Sequence, residues 1–114
     1  KTGRSRAINN LLEGVNHDSW KIRQKSVEAL RGIDLNQVGK NRSKKVLKNM
    51  RKALSDNDKW VRVEAAKSLS KKIAESQDRT DVDKEIKALK DRLTGEGDDD
   101  VITALKEGLE KIEN

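Results

Sequence analysis

The sequence predicts an all-α protein, six helices forming three helical hairpins stacked as an α-α superhelix, in a single domain over residues 1–114. Three observations carry that expectation. Pro, Phe, Tyr and Cys are absent, while Ala, Leu, Lys, Glu and Arg, which lose least on entering a helix, abound. Apolar residues recur at three- and four-residue spacing in six segments separated by short polar breaks. The hairpins those segments form resemble one another at a period of about 40 residues, the mark of a repeat array. With 32% apolar and 40% charged residues, much of every helix must face water.

Ile8, Leu11, Leu12 and Val15 stripe the first helix, and Ile22, Val27, Leu30 and Ile33 the second, with Asn16-His17-Asp18-Ser19 as the break between them. Gly32 and the polar stretch Asp34 to Asn41, which contains Gly39, separate this hairpin from the next. Val46, Leu47, Met50, Ala53 and Leu54 line the third helix, and Ser55-Asp56-Asn57-Asp58 ends it. Val61, Ala65, Ala66, Leu69 and Ile73 define the fourth, for which Asp58 is the expected N-cap because its carboxylate can accept orphan backbone N–H groups. Ser76 to Arg79 reads as a loop. Thr80-Asp81-Val82-Asp83 has the spacing of a capping box, and Val82, Ile86, Leu89 and Leu93 follow as an apolar stripe. Gly95-Glu96-Gly97 ends that helix. Asp98-Asp99-Asp100 then places negative charge at the start of the last one, striped by Val101, Leu105, Leu109 and Ile112.

Superposed, the hairpins align Ile22-Arg23 with Val61-Arg62, Val27 with Ala66, Leu30 with Leu69, and Val15 with Leu54. In the third, Val101 falls on Val61, Leu105 on Ala65 and Leu109 on Leu69, while Leu89 and Leu93 match Met50 and Leu54 after a one-residue shift. The segment Asp56-Asn57-Asp58-Lys59-Trp60-Val61-Arg62-Val63-Glu64-Ala65-Ala66-Lys67-Ser68-Leu69 resembles the HEAT-repeat family in its acidic turn, its Val-Arg pair and its Ala-Ala-x-x-Leu helix. The first repeat keeps Asp18, Ile22-Arg23 and Leu30 but has Ser26-Val27 in place of the alanines, and the third has Ile102 where the arginine belongs. No proline occurs, although the family commonly uses one. Repeats at roughly 5–34, 42–76 and 80–113 are the resulting expectation. The rival architecture is a six-helix bundle of other topology. The resemblance implies that Arg23 and Arg62 pair with turn aspartates such as Asp18, Asp56 or Asp58 of a neighbouring repeat; the functional alternative is an anion held by both arginines on a concave face.

Charge is unevenly placed. Residues 1–54 carry 14 Lys and Arg against 4 Asp and Glu, whereas residues 55–114 carry 12 against 16, within a net +6. The basic first half suits an acidic partner, or head-to-tail self-association. Lys40, Arg42, Lys44, Lys45, Lys48, Arg51 and Lys52 form the densest basic run, with Lys44, Lys48, Arg51 and Lys52 on one side of the third helix. It is either a partner- or phosphate-binding stripe or a solvated helix face. Trp20 and Trp60, the only aromatic residues, both stand at the start of a second helix, which argues against a base-stacking platform. They are expected to cap the core between hairpins, with exposure on the concave surface as the alternative.

Other chemistry has little to build on. His17 is the single histidine and sits in a turn without a second ligand. Asp98, Asp99 and Asp100 lack the alternation and closing Glu of a calcium loop. No phosphate-binding glycine loop, dinucleotide fingerprint or nucleophile elbow occurs, so neither catalysis nor a cofactor is expected. There is no cysteine, signal-like segment or membrane-length apolar run, which points to a soluble protein of the cytoplasm. The expected function is that of a non-catalytic interaction platform binding a protein partner, an acidic segment above all. Nucleic-acid binding through the phosphate backbone is the alternative.

Overall fold

The structure, a computed structural model, describes residues 2–76 and 79–113. Among these are six α-helices and no strand: α1 (Thr2–Gly14), α2 (Trp20–Arg31), α3 (Lys40–Ala53), α4 (Lys59–Glu75), α5 (Asp83–Gly95) and α6 (Asp99–Glu113). They pair as three hairpins. The second helices α2, α4 and α6 form one layer, in which α4 is packed between the other two, and the first helices α1, α3 and α5 form the layer above. The extents of 40 × 34 × 17 Å describe a plate two helices thick, the shape that stacked hairpins give.

The central position of α4 explains its burial. With neighbours on both sides it hides not only Val61, Val63, Ala65, Ala66, Leu69 and Ile73 but also Ser68, Ser70 and Lys72. The remaining core is shared out among the hairpins: Val27 and Leu30 from α2, Val46 and Met50 from α3, Leu89 from α5, Val101 and Leu105 from α6, all fully buried. Each such side chain contributes about 1.5–3 kcal/mol by leaving water.

Turn chemistry sets where the second helices begin. His17 Nδ1 accepts from the amide of Ser19, Asp56 Oδ1 from that of Asp58, and Glu96 Oε2 from that of Asp98, at 2.9, 2.9 and 3.0 Å. Asp58 Oδ1 then accepts from the amides of Trp60 and Val61, and Asp98 Oδ1 from those of Asp100 and Val101. Ser19, the equivalent N-cap of α2, makes no such side-chain bond. These bonds fix a common register, in which His17, Asp56 and Glu96 are equivalent, as are Ser19, Asp58 and Asp98.

Two glycines let helices approach closely. A Cβ on Gly14 would lie 2.0 Å from Ser26 Oγ, and one on Gly108 only 1.9 Å from Ser70 Oγ and 2.8 Å from its Cβ. The second contact draws α6 onto α4.

Several local expectations change. Asp34 to Asn41 is less open than its polarity suggests. Leu35–Gln37 form a 3-10 turn capped by the Asp34 side chain, Val38 is buried, and α3 starts at Lys40 after Gly39, whose φ of 87° suits glycine. Arg79–Val82 are a 3-10 turn and α5 starts only at Asp83, with Val82 as N-cap and no capping side chain, so the capping box expected at Thr80 to Asp83 does not open this helix. The side chain of Thr80, and Gln77 and Asp78 in the preceding loop, lie outside the described residues. Ile22, expected in the core, is 41% exposed. Its counterparts Val61 and Val101 are fully buried because α2 packs in front of α4 and α4 in front of α6, whereas no second helix among the described residues packs in front of Ile22.

Candidate functional site

Arg23 and Arg62 stand at one position of the repeat and do the same two things. Arg23 Nη1 donates to the carbonyls of His17 and Asp18, tying down its own turn, while Nε and Nη2 grip Asp56 of the next hairpin at 2.8 and 3.0 Å. Arg62 Nη1 donates to the carbonyls of Asp56 and Asn57, and its Nε and Nη2 reach Glu96 at 3.0 and 3.2 Å. Only a planar guanidinium fork can span both. The bond to Asp56 pushes the Arg23 pKa further up, against a smaller opposing effect of burial.

The acid is thus the first residue of the following turn, Asp56 or Glu96. Asp58 is occupied as an N-cap, and Asp18 contributes its carbonyl. Four of the five N–H donors on each guanidinium are engaged within the array, which leaves the anion-binding alternative a single N–H on each.

The same direction governs the other junction contacts. Arg31 pairs with Glu64 and donates to Ser68 Oγ at 3.1 Å, Arg51 pairs with the buried Glu85, and Lys59 pairs with Asp100 at 2.9 Å and Asp98 at 3.6 Å. Among the described residues, every ion pair between hairpins has its cation on the earlier repeat and its acid on the later one. The hydrogen bond that Lys59 donates to Asp100 is the chief cause that raises the Lys59 pKa. Burial raises that of Asp98, but the amides of Val101 and Asp100, together with Lys59, outweigh it and hold the carboxyl below its ordinary value. Lys72 crosses the first junction differently: its buried side chain donates to the Ile33 carbonyl, with Glu75 Oε1 at 3.5 Å, and burial lowers its pKa. Sequence reading missed Arg31, Glu64, Glu85, Glu96 and Lys72. The signal available for the acids was a cation followed by a carboxylate 33 or 34 residues later.

The basic run of α3 divides accordingly. Arg51 is taken by Glu85, and Lys52 donates to Asn16 Oδ1 at 2.7 Å. Arg42 is half-buried, with its Nε unpaired among the described residues. Lys40, Lys44, Lys45 and Lys48 are exposed and meet no carboxylate among those residues. Lys44, Lys45 and Lys48 share the face of α3 opposite Val46 and Met50, so the open stripe lies on the outer layer. Trp20 and Trp60 keep 37% and 42% of their surface exposed. They stand on the rim of the second-helix layer instead of closing the core, each with a lysine near its ring, Lys21 at 5.8 Å and Lys59 at 4.7 Å from the centroids.

A shallow depression is lined by Arg51, Leu54, Ser55, Ala88, Asp91, Arg92 and Gly95. No group of three or more metal-ligating side chains occurs among the described residues, and no helix there is long and apolar enough to cross a membrane.

The HEAT-repeat family model matches residues 8–110, across all three hairpins and both rungs of the arginine ladder. The chain belongs to the HEAT-repeat family. Comparison with curated proteins and with solved structures returned no match. HEAT repeats serve in general as protein-interaction scaffolds and are typically non-catalytic.

Proposed function

We propose that this HEAT-repeat protein is a non-catalytic platform that binds an acidic segment of a partner protein, with Lys40, Lys44, Lys45 and Lys48 of α3 as the recognition stripe and Arg42 at its edge. One observation supports this reading above others. Most other basic side chains near a repeat junction are committed to a carboxylate or carbonyl, while these four lysines carry uncompensated charge on one exposed helix face. Held on a rigid helix, they would steer an acidic chain by long-range attraction and fix its register by short ion pairs. Arg51 and Lys52 would shape the end of the stripe without meeting the partner, since both are engaged in the fold.

The rival ligand for the same stripe is a nucleic-acid backbone, whose phosphates present the same charge. Fluorescence anisotropy with a labelled Glu-rich peptide and a labelled DNA duplex, at about 50 and 200 mM salt, separates them. The reading expects saturable peptide binding that is lost in the K44E/K45E/K48E variant. Four lysines on a duplex would instead give an affinity falling about a hundredfold across that salt range. Duplex binding of that kind without peptide binding would transfer the stripe to nucleic acid, and binding of neither probe would refute it as a recognition surface.

A further inference from the structure

The ladder has two ends, and its register says what each would accept. Three rungs join the hairpins, the first at both junctions and the other two at one junction each. Position 23 of the first repeat reaches position 17 of the next in Arg23–Asp56 and Arg62–Glu96. Position 31 reaches position 25 in Arg31–Glu64. Position 20 reaches position 21 in Lys59–Asp100. Acceptor positions therefore face backward along the array and donor positions forward.

Carried to the ends, this register places Lys21, Lys25 and His17 on the backward edge of α2 where the acids Asp100, Glu64 and Asp56 or Glu96 stand inside the array. It places Asp99, Glu110 and Ile102 on the forward edge of α6 where Lys59, Arg31 and Arg23 or Arg62 stand inside. Two of the three rungs, Asp99 with Lys21 and Glu110 with Lys25, are inverted in charge, and the third is replaced by Ile102 and His17. The backward edge is basic and the forward edge bears acids at the matching positions, with Lys106 between them; all five of these charged side chains are exposed.

The apolar pattern agrees. Ile22 is 41% exposed at a position that is fully buried in the second and third repeats. Ala29 is exposed where Ser68 and Gly108 meet the preceding helix, so the backward edge keeps the small side chain that permits close approach.

We propose that the protein stacks head to tail with a second copy of itself, α6 of one molecule on α2 of the next, through Glu110–Lys25 and Asp99–Lys21 pairs that close over Ile22. The contact is heterologous, so it extends into open stacks unless curvature closes it. The reversed polarity also favours joining at the ends over invasion of an internal junction, where Lys25 would face Arg31 of the preceding repeat and Glu110 would face Glu64 of the following one.

Sedimentation equilibrium tests this with the intact chain. The weight-average mass should rise above 12.9 kDa with concentration at about 50 mM salt and fall back as salt screens the pairs. Lys25→Glu and Glu110→Lys should each weaken association about tenfold or more. An equimolar mixture of the two single variants should associate again, because each then meets an opposite charge at both edges, and the double variant should regain association by itself. Circular dichroism checks that these exposed substitutions leave the helices intact. A chain that stays monomeric to about 1 mM at low salt overturns the proposal. So does association that ignores the swaps, or that is lost with Lys44, Lys45 and Lys48 instead.

Discussion

Replacing Arg62 by alanine tests whether the arginine ladder holds the third hairpin to the second. The guanidinium donates two bonds to turn carbonyls at 2.8 and 3.2 Å and two to Glu96 at 3.0 and 3.2 Å. The Glu96 side chain is only 3% exposed, and after the substitution it keeps the Asp98 amide and Arg92 Nε at 3.3 Å. Breaking a buried pair from one side costs about 3–5 kcal/mol, because a desolvated charge is stranded. Arg62 is not wholly dry and Arg92 remains, which brings the expected loss to about 2–3 kcal/mol. For a chain of this length that is a fall in Tm of about 10 °C. Urea unfolding followed by circular dichroism measures the total, and hydrogen exchange locates it. Amides of α5 and α6 should lose more protection than those of α1 and α2, since repeat arrays are stabilised junction by junction. Arg62→Lys should recover less than half, as an ammonium cannot reach turn and acid together. Adding Glu96→Gln to Arg62→Ala should return part of the loss by removing the stranded charge. A loss below about 0.5 kcal/mol, or a lysine variant equal to the parent, would refute the ladder as the fastening of this junction.

Three further outcomes follow from the packing and the caps. Gly108→Ala should destabilise by about 1–2 kcal/mol despite the better helix propensity of alanine, because the new methyl group meets Ser70 and must push α6 off α4; Ser70→Gly added to it should restore part of the stability in the same urea assay. Asp58→Ala removes two cap bonds from α4 and should cost about 1 kcal/mol, whereas Asp58→Asn should be nearly silent. Lys72→Met should change stability at neutral pH by less than about 1 kcal/mol, as methionine fills the space and the cost of a buried charge vanishes. Its signature is in the pH dependence. The folded-state pKa of Lys72 lies below the ordinary 10.5, so between those values the unfolded chain holds the extra proton and Lys72 makes stability rise with pH. Lys59, raised by Asp100, contributes stability that is complete below 10.5 and lost as pH climbs through its folded value. Urea midpoints measured upward from about pH 8 should therefore fall more steeply for Lys72→Met than for the parent.

The helices were legible in the sequence because their apolar stripes answer to a local rule, the 3.6-residue period, and because Asp58 and the glycine-flanked Glu96 mark boundaries by chemistry within a few residues. Ile22 was misplaced for a reason the stripe cannot contain: its position is buried only where a hairpin precedes it, a property of the stack and not of the helix. Val38 and Leu35 were hidden by polar neighbours, since a single 3-10 turn offers no period to detect. The arginine position was legible from its recurrence and the acidic turn from its composition. Which acid meets which arginine was not, because Asp56 and Asp58 differ in role only through the geometry that turns one toward the preceding repeat and the other toward its own helix. Lys40 to Lys52 looked uniform as a run, and only the partners Glu85 and Asn16 separate Arg51 and Lys52 from the lysines that remain open.

That separation bears on where binding resides in this array. A charge inside a junction is fixed in number and direction by the residue opposite, so altering it is read first as stability. A charge that breaks the internal rule has no such constraint. Lys25 in place of an acid, Glu110 in place of a cation and the unopposed lysines of α3 are exceptions of that kind, and all are exposed. Substituting them should leave unfolding nearly unchanged while altering association, the inverse of the pattern expected for Arg23, Arg62 and Glu96. Two assays on one set of variants, urea midpoint and complex formation, thus distinguish ladder from surface residue by residue. An α3 lysine whose loss lowered the urea midpoint as much as Arg62→Ala would belong to the fold and would have to leave the proposed stripe.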